Sequence, residues 1–121
     1  MRERSNAIGR QGEDAAAEYL AARGYEILRR NFRAGRGELD IICRRDGKIY
    51  FVEVKTRQQG AQVAPAEAVT ADKRRRIFEA ATLWLQKNAA GDAPCSFLLL
   101  TVQNSLSGAV RIDMVEDFLL W

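Results

Sequence analysis

Asp40, Glu53 and Lys55 are the residues whose types and spacing first suggest chemistry. They lie in two β-branched and aromatic-rich runs, GELDIICRR from Gly37 and KIYFVEVKT from Lys48, joined by Asp46-Gly47, a strong short hairpin signal. A two-residue loop there pairs Arg45 with Lys48, which sets Asp40 opposite Glu53 and Glu38 opposite Lys55. Strand alternation puts all four on one face. Directly opposed Cβ atoms are about 4.5–5.5 Å apart, and like charges there destabilise unless something neutralises them. A divalent cation would, and carboxylate oxygens suit Mg2+ or Mn2+, which also take waters and phosphate oxygens. Ile42, Ile49 and Phe51 share that face, so the charged groups are expected in a partly buried setting, where charge must be paired or metal-bound. The plainer alternative is an ordinary hairpin with its acids in water.

A third acid, Glu13, shares a helical face with Ala16, Ala17 and Leu20, at core positions. Gly9 and Gly12 just before it would let that helix approach the sheet closely. Taken alone, Glu13 also reads as a first-turn acid complementing the helix dipole, and Asp14 and Glu18 as solvated charges. A metal held by Asp40 and Glu53, with Glu13 assisting, would lower the pKa of a bound water and neutralise a phosphoryl oxygen. Lys55 would orient or help activate that water, or act as a fixed cation in the transition state. Lys73, Arg74, Arg75 and Arg76 place four cations in the first turn of a second helix, against its dipole. Phosphate contact would account for them, with a solvated charge run as the alternative. Arg36 and Arg57 join them as expected nucleic-acid contacts, and Arg29, Arg30, Arg33, Arg44 and Arg45 extend the basic region.

Composition narrows the chemistry further. The 121 residues include no histidine, which removes Ser-His-Asp and Cys-His nucleophiles, His-ligated zinc and His acid/base catalysis together. The net charge of +3 is unevenly spread, with 17 basic and 11 acidic residues up to position 76 and 2 and 5 beyond it. That asymmetry points to a polyanionic partner. Cys43 and Cys95 lack the spacing of zinc ligands or a redox pair, and no leader or long apolar run is visible. A reduced, cytoplasmic, non-membrane protein is expected, folded as a single domain over 1–121.

The elements that must position these residues follow in close succession. Residues 6–22 read as a helix stopped by Arg23-Gly24, Tyr25 to Arg33 as a first strand broken at Ala34 to Gly37, and the hairpin as strands two and three. The polar stretch from Arg57 to Pro65 reads as a mobile surface loop. Thr70 can cap a helix from 71 to about 89, with Ile77, Ala80, Ala81, Trp84, Leu85 and Asn88 as its stripe and Gly91 as the stop. Ser96 to Val102 reads as a buried strand, AVRIDMV as a fifth, and EDFLLW as an apolar tail. The order α-β-β-β-α-β-β gives a mixed α/β fold, a central sheet flanked by helices.

GRQGEDAAAEYL, GELD from Gly37 and FVEVKTR from Phe51 resemble the YraN-like family of small uncharacterised bacterial proteins over nearly the whole chain. Glu13, Asp40, Glu53 and Lys55 are also similar to the helix-Glu plus D-(x)n-E-x-K pattern of the restriction-endonuclease-like, PD-(D/E)xK, superfamily, most closely archaeal Holliday junction resolvases. The resemblance implies an αβββαβ core and a metal-dependent phosphodiesterase site, with Asp40 and Glu53 as Mg2+ or Mn2+ ligands, Glu13 assisting and Lys55 catalytic. Ser96 and Leu98 stand where the family usually has Arg and Asp. The expected function is hydrolysis of phosphodiester bonds in DNA, in branched or non-duplex structures, with DNA favoured over RNA and a homodimer left open. The alternative is a nucleic-acid-binding module with the same fold and no turnover of its own.

Overall fold

The computed structural model describes residues 2–58, 69–104 and 108–117, with side chains described over 10–57, 69–104 and 108–117. Helix α1 (Arg2–Ala22) starts four residues earlier than its pattern suggests. It ends at Gly24, whose φ of +89° lets the N–H groups of Arg23, Gly24 and Tyr25 turn back onto the carbonyls of Leu20 and Ala21. Strands β1 (Glu26–Ala34), β2 (Gly37–Arg45) and β3 (Lys48–Gln58) follow, then α2 (Ala71–Lys87), β4 (Cys95–Asn104) and β5 (Val110–Glu116). Thr70 caps α2 as expected, its Oγ1 accepting from the Lys73 N–H at 3.2 Å. The helix stops at Asn88 and the left-handed Ala89, before Gly91, so the expected end at 89 is too long.

The sheet order is β1-β2-β3-β4-β5, antiparallel except for the parallel β3–β4 pair that α2 connects. One helix covers each face. Ala16 and Leu20 of α1 pack with Ile41, Cys43, Tyr50, Val52, Leu98 and Leu100. Ile77, Ala80, Ala81 and Trp84 of α2 pack with Phe32, Leu39, Ile42, Ile49, Phe51 and Leu99. This is the expected α/β architecture, a mixed central sheet flanked by helices. Both cysteines are free, Cys43 buried and Cys95 exposed.

Two glycines set how closely the helices approach. A Cβ at Gly37 would lie 2.6 Å from the Arg76 carbonyl oxygen and 2.9 Å from Ala80 Cα, so α2 rests on the β2 backbone. A Cβ at Gly12 would overlap the Thr56 side chain, which brings α1 against β3 beside Lys55.

The hairpin turn takes positive φ at both Asp46 (51°) and Gly47 (78°), as a tight two-residue turn requires. Its register is the expected one from Arg45↔Lys48 to Ile41↔Val52. There the β2–β3 ladder ends. The expected pairs Asp40–Glu53 and Glu38–Lys55 do not form, because the Asp40 carboxylate inserts between the strands and accepts the Val54 N–H at 2.7 Å through Oδ2. On the other side of β2, Asn31 takes a left-handed φ of 52° between the pairs Arg30↔Ile41 and Phe32↔Leu39. The kink reverses side-chain alternation, so Leu39 faces the α2 core while Ile41 faces the α1 core. Asp40 therefore stands in a fork of the sheet and not on the flat face shared with Ile42 that alternation predicts.

The stretch 59–68, which includes most of the expected loop, lies outside the described residues, as does the apolar tail 118–121. Ser96 and Leu98 are both buried in β4.

Candidate active site

The fork brings three of the expected acids together. Glu13, from the buried face of α1, is hydrogen bonded to Asp40, and Glu53 on β3 faces the same carboxylate from the other side. Glu53 is only 3% exposed. Its Oε1 lies 3.9 Å from Lys55 Nζ and 3.6 Å from Lys73 Nζ, and its buried Oε2 has no hydrogen-bond donor among the described residues. Lys55 lies two residues further along the same face and is part-exposed. A cavity of about 200 Å3 reaches the cluster from the β1–β2 side, walled by Glu13, Asn31, Arg33, Glu38 and Asp40.

Burial and mutual repulsion raise the affinity of all three acids for protons. Glu13 is pushed up to about 7, first by burial and then by the Asp40 charge and hydrogen bond. Glu53 is pushed up to about 8, again by burial first and by Asp40 second. Asp40 is raised by burial, although the Val54 N–H and Lys73 pull it down. Glu38 is lowered, chiefly by its hydrogen bond to Lys73. Burial works against the charge on Lys73, but Glu38, Glu53 and Asp40 outweigh it and hold the ammonium charged.

Two members were not expected as part of this cluster. Lys73 leaves the basic run and turns inward, its Nζ donating to Glu38 Oε1, which makes Glu38 a site residue as well. Thr101 pairs with Lys55 across the parallel β3–β4 ladder, and its buried Oγ1 has no hydrogen-bond partner among the described residues. A signal for Lys73 was present: it lies four residues before Ile77 and shares the buried stripe of α2. Nothing in the local sequence marks Thr101, because its neighbour is supplied by a parallel pairing 46 residues away in the chain.

The arginines divide. Arg36, Arg75 and Arg76 line a cavity of about 460 Å3 beside the cluster, with Asp72 and Glu79, and Asp72 pairs with Arg76 at 3.1 Å and Arg75 at 3.6 Å. Arg57 and Arg74 are half-buried on β3 and α2. Arg33 is 82% exposed and lies 4.0 Å from Glu38. Several arginines of the wider basic region have local partners. Arg30 pairs with Asp14 at 2.7 Å, Arg44 with Glu26 at 2.8 Å, and Arg45 lies over the Tyr25 ring. These are part-exposed surface contacts, and Asp14, 62% exposed, is the solvated charge expected, with an arginine beside it.

Among the described residues, no three Asp, Glu, His or Cys side chains already stand as a metal cage. Mg2+ needs only one or two protein carboxylates beside waters and phosphate oxygens. The donors here are hard oxygens, and Glu53 Oε2 is a buried acceptor with nothing to accept from among the described residues. Asp40 and Glu53, with Glu13 adjacent, therefore fit such an ion. Among the described residues no helix is long and apolar enough to cross a membrane.

Residues 12–116 match the uncharacterised protein family UPF0102. A UPF0102 protein of Symbiobacterium thermophilum is 41% identical over 113 residues, covering 93% of this chain and 96% of the relative. One from Geotalea uraniireducens is 43% identical over 114 residues, covering 93% and 89%. One from Oleidesulfovibrio alaskensis is 52% identical over 96 residues, and there the matched region of this chain spans only 48% of the relative's length.

Proposed function

The chain belongs to the uncharacterised protein family UPF0102, and from that starting point we propose that it is a metal-dependent nuclease of the restriction-endonuclease-like, PD-(D/E)xK, type, similar to archaeal Holliday junction resolvases. The observation that carries this reading is the buried pair Asp40 and Glu53 in a fork of the sheet, with an orphaned Glu53 oxygen and Lys55 3.9 Å away. The substrate class in this reading is DNA, with branched or non-duplex structures as one case.

Asp40 and Glu53 would hold Mg2+ or Mn2+, with Glu13 assisting, and the ion would supply an acidified water and charge neutralisation at a phosphoryl oxygen. The protein's own groups do the rest. The Val54 N–H fixes the Asp40 carboxylate, which leaves its orientation independent of substrate. Glu13 is hydrogen bonded to Asp40, and burial together with the Asp40 charge pushes it up to about 7, which suits this pair to taking up or releasing a proton at the site. Lys55 presents an ammonium to the non-bridging oxygens, where negative charge grows as the water oxygen bonds to phosphorus and one P–O ester bond breaks. Arg36, Arg75, Arg76 and Arg33 lie beside the cluster, at positions suited to flanking phosphates.

The test is Mg2+- and Mn2+-dependent cleavage of labelled duplex, single-stranded, flap and four-way-junction DNA, with RNA alongside. Asp40→Asn and Lys55→Ala are expected to lower cleavage by about a hundredfold or more and leave binding largely intact. A second reading, a binding module without turnover, is favoured by Lys73, a resident cation among the acids. Tight salt-dependent binding without cleavage by the native protein, in either metal, would select it.

A further inference from the structure

Lys73 enters the acid cluster from α2, a different element from those that carry the acids. Its Nζ donates to Glu38 Oε1 and stands 3.6 Å from Glu53 Oε1, with 19% of its side chain exposed. The rest of the first turn behaves differently. Asp72 pairs outward with Arg75 and Arg76, whose side chains are 75% and 50% exposed, while Arg74 is half-buried, so the charge run does not share one surface. The backbone of Lys73 is held by the Thr70 cap, but its side chain is a four-carbon stem ending in a compact charge, able to swing while the helix stays put.

Buried carboxylates need a counter-charge, and Lys73 supplies it incompletely. It faces Glu53 Oε1 and leaves Oε2 without a donor among the described residues. Glu38 has a second cation in reserve, Arg33 at 4.0 Å, so it stays compensated if Lys73 departs. A divalent ion on Asp40 and Glu53 would bring a second, larger positive charge next to the ammonium, and the two cations would repel strongly at that range.

We propose that Lys73 is an exchangeable counter-cation: it holds the acid cluster together in the metal-free protein and swings out of it when a divalent cation binds the carboxylates, which delivers its ammonium to the phosphate-binding side. This inference rests on the metal-site reading above. Lys73 is thereby a positioning residue whose location reports occupancy of the site.

The experiment uses the native chain, which has four lysines, Lys48, Lys55, Lys73 and Lys87. Brief acetylation followed by peptide mass spectrometry reads each lysine's reactivity at fixed pH, with and without saturating Mg2+ or Mn2+. Calorimetric titration reads whether the metal binds, in the native protein and in Lys73→Met. Metal is expected to raise Lys73 labelling several-fold and leave Lys48 and Lys87 unchanged, while Lys73→Met binds metal about tenfold more tightly, as loss of a neighbouring like charge requires. Metal binding by Lys73→Met alone overturns the exchange, because Lys73 then holds the native site against the ion, and leaves the metal site standing. Metal bound by the native protein with Lys73 labelling unchanged overturns the exchange and leaves the metal site standing. No binding by either protein overturns both. If Lys73→Met does not fold, native labelling and titration decide between these outcomes.

Discussion

Replacing Glu53 with Gln in metal-free protein tests whether this carboxylate is held in the fold at the expense of its charge. Burial, reinforced by Asp40, pushes Glu53 from an ordinary 4.5 up to about 8. An acid whose pKa is higher folded than unfolded takes up a proton on folding. Its contribution to stability is therefore complete below its unfolded pKa and is lost as pH rises through about 8. At about 1.4 kcal/mol per pH unit, the shift sets an upper bound of roughly 4–5 kcal/mol. Glu13 and Asp40 draw on the same protons, and about 2 kcal/mol is expected between roughly pH 5 and pH 9. Gln does not titrate, so the stability of Glu53→Gln relative to native should rise by that amount across the range. In a domain of this size about 2 kcal/mol corresponds to a relative Tm change of roughly 8 °C. Urea unfolding followed by tryptophan fluorescence, with a chelator present, measures it. A difference between the two proteins that stays constant from about pH 5 to pH 9 refutes the argument, because Glu53 would then be fully neutralised by Lys73 and Lys55.

Metal addition should reverse the same penalty: Mg2+ or Mn2+ at about a hundred times its Kd should stabilise the native protein by about 2.7 kcal/mol. Asp40→Asn should lose most of that gain in calorimetric scans. Arg36→Ala and Arg75→Ala should each reduce the slope of log K for DNA against log salt by about 0.9 if they meet phosphates, a quantity read from binding isotherms at several salt concentrations; an unchanged slope removes that residue from the interface. Gly47→Ala should cost about 1 kcal/mol, since its φ is 78° and, among the described residues, no atom lies within 4 Å of an added Cβ. Cleavage by that variant should match native, because the strain is confined to the turn.

Local chemistry made much of this fold legible. Asp46-Gly47 specifies a turn with two positive φ values, and such a turn carries its register into both strands, which is why the pairing holds to Ile41↔Val52. The stripe of α2 and the Thr70 cap are legible for the same reason, since both depend on residues within a few positions. What lay beyond reach was the fork. Asn31 adopts left-handed backbone and Asp40 takes a strand N–H with its side chain, and no residue type in either strand signals that alternation reverses there. The basic run misled in a different way. A run of like charges suggests a shared role, whereas the helix sends Lys73 inward and Arg75 outward by rotation alone.

The two close approaches of helix to sheet bear on how such a chain can diverge. Gly12 immediately precedes Glu13, and Gly37 immediately precedes Glu38. The first rests on Thr56, next to Lys55, and the second on α2 one turn beyond Lys73. The spacing of the charged groups across the layers is thus set by two residues that contribute no functional group. A lineage could exchange one acid for another and keep the arrangement, but a single methyl at Gly37 would lift a helix and separate charges it never touches. Drift in this protein is therefore limited most severely where there is no side chain to compare.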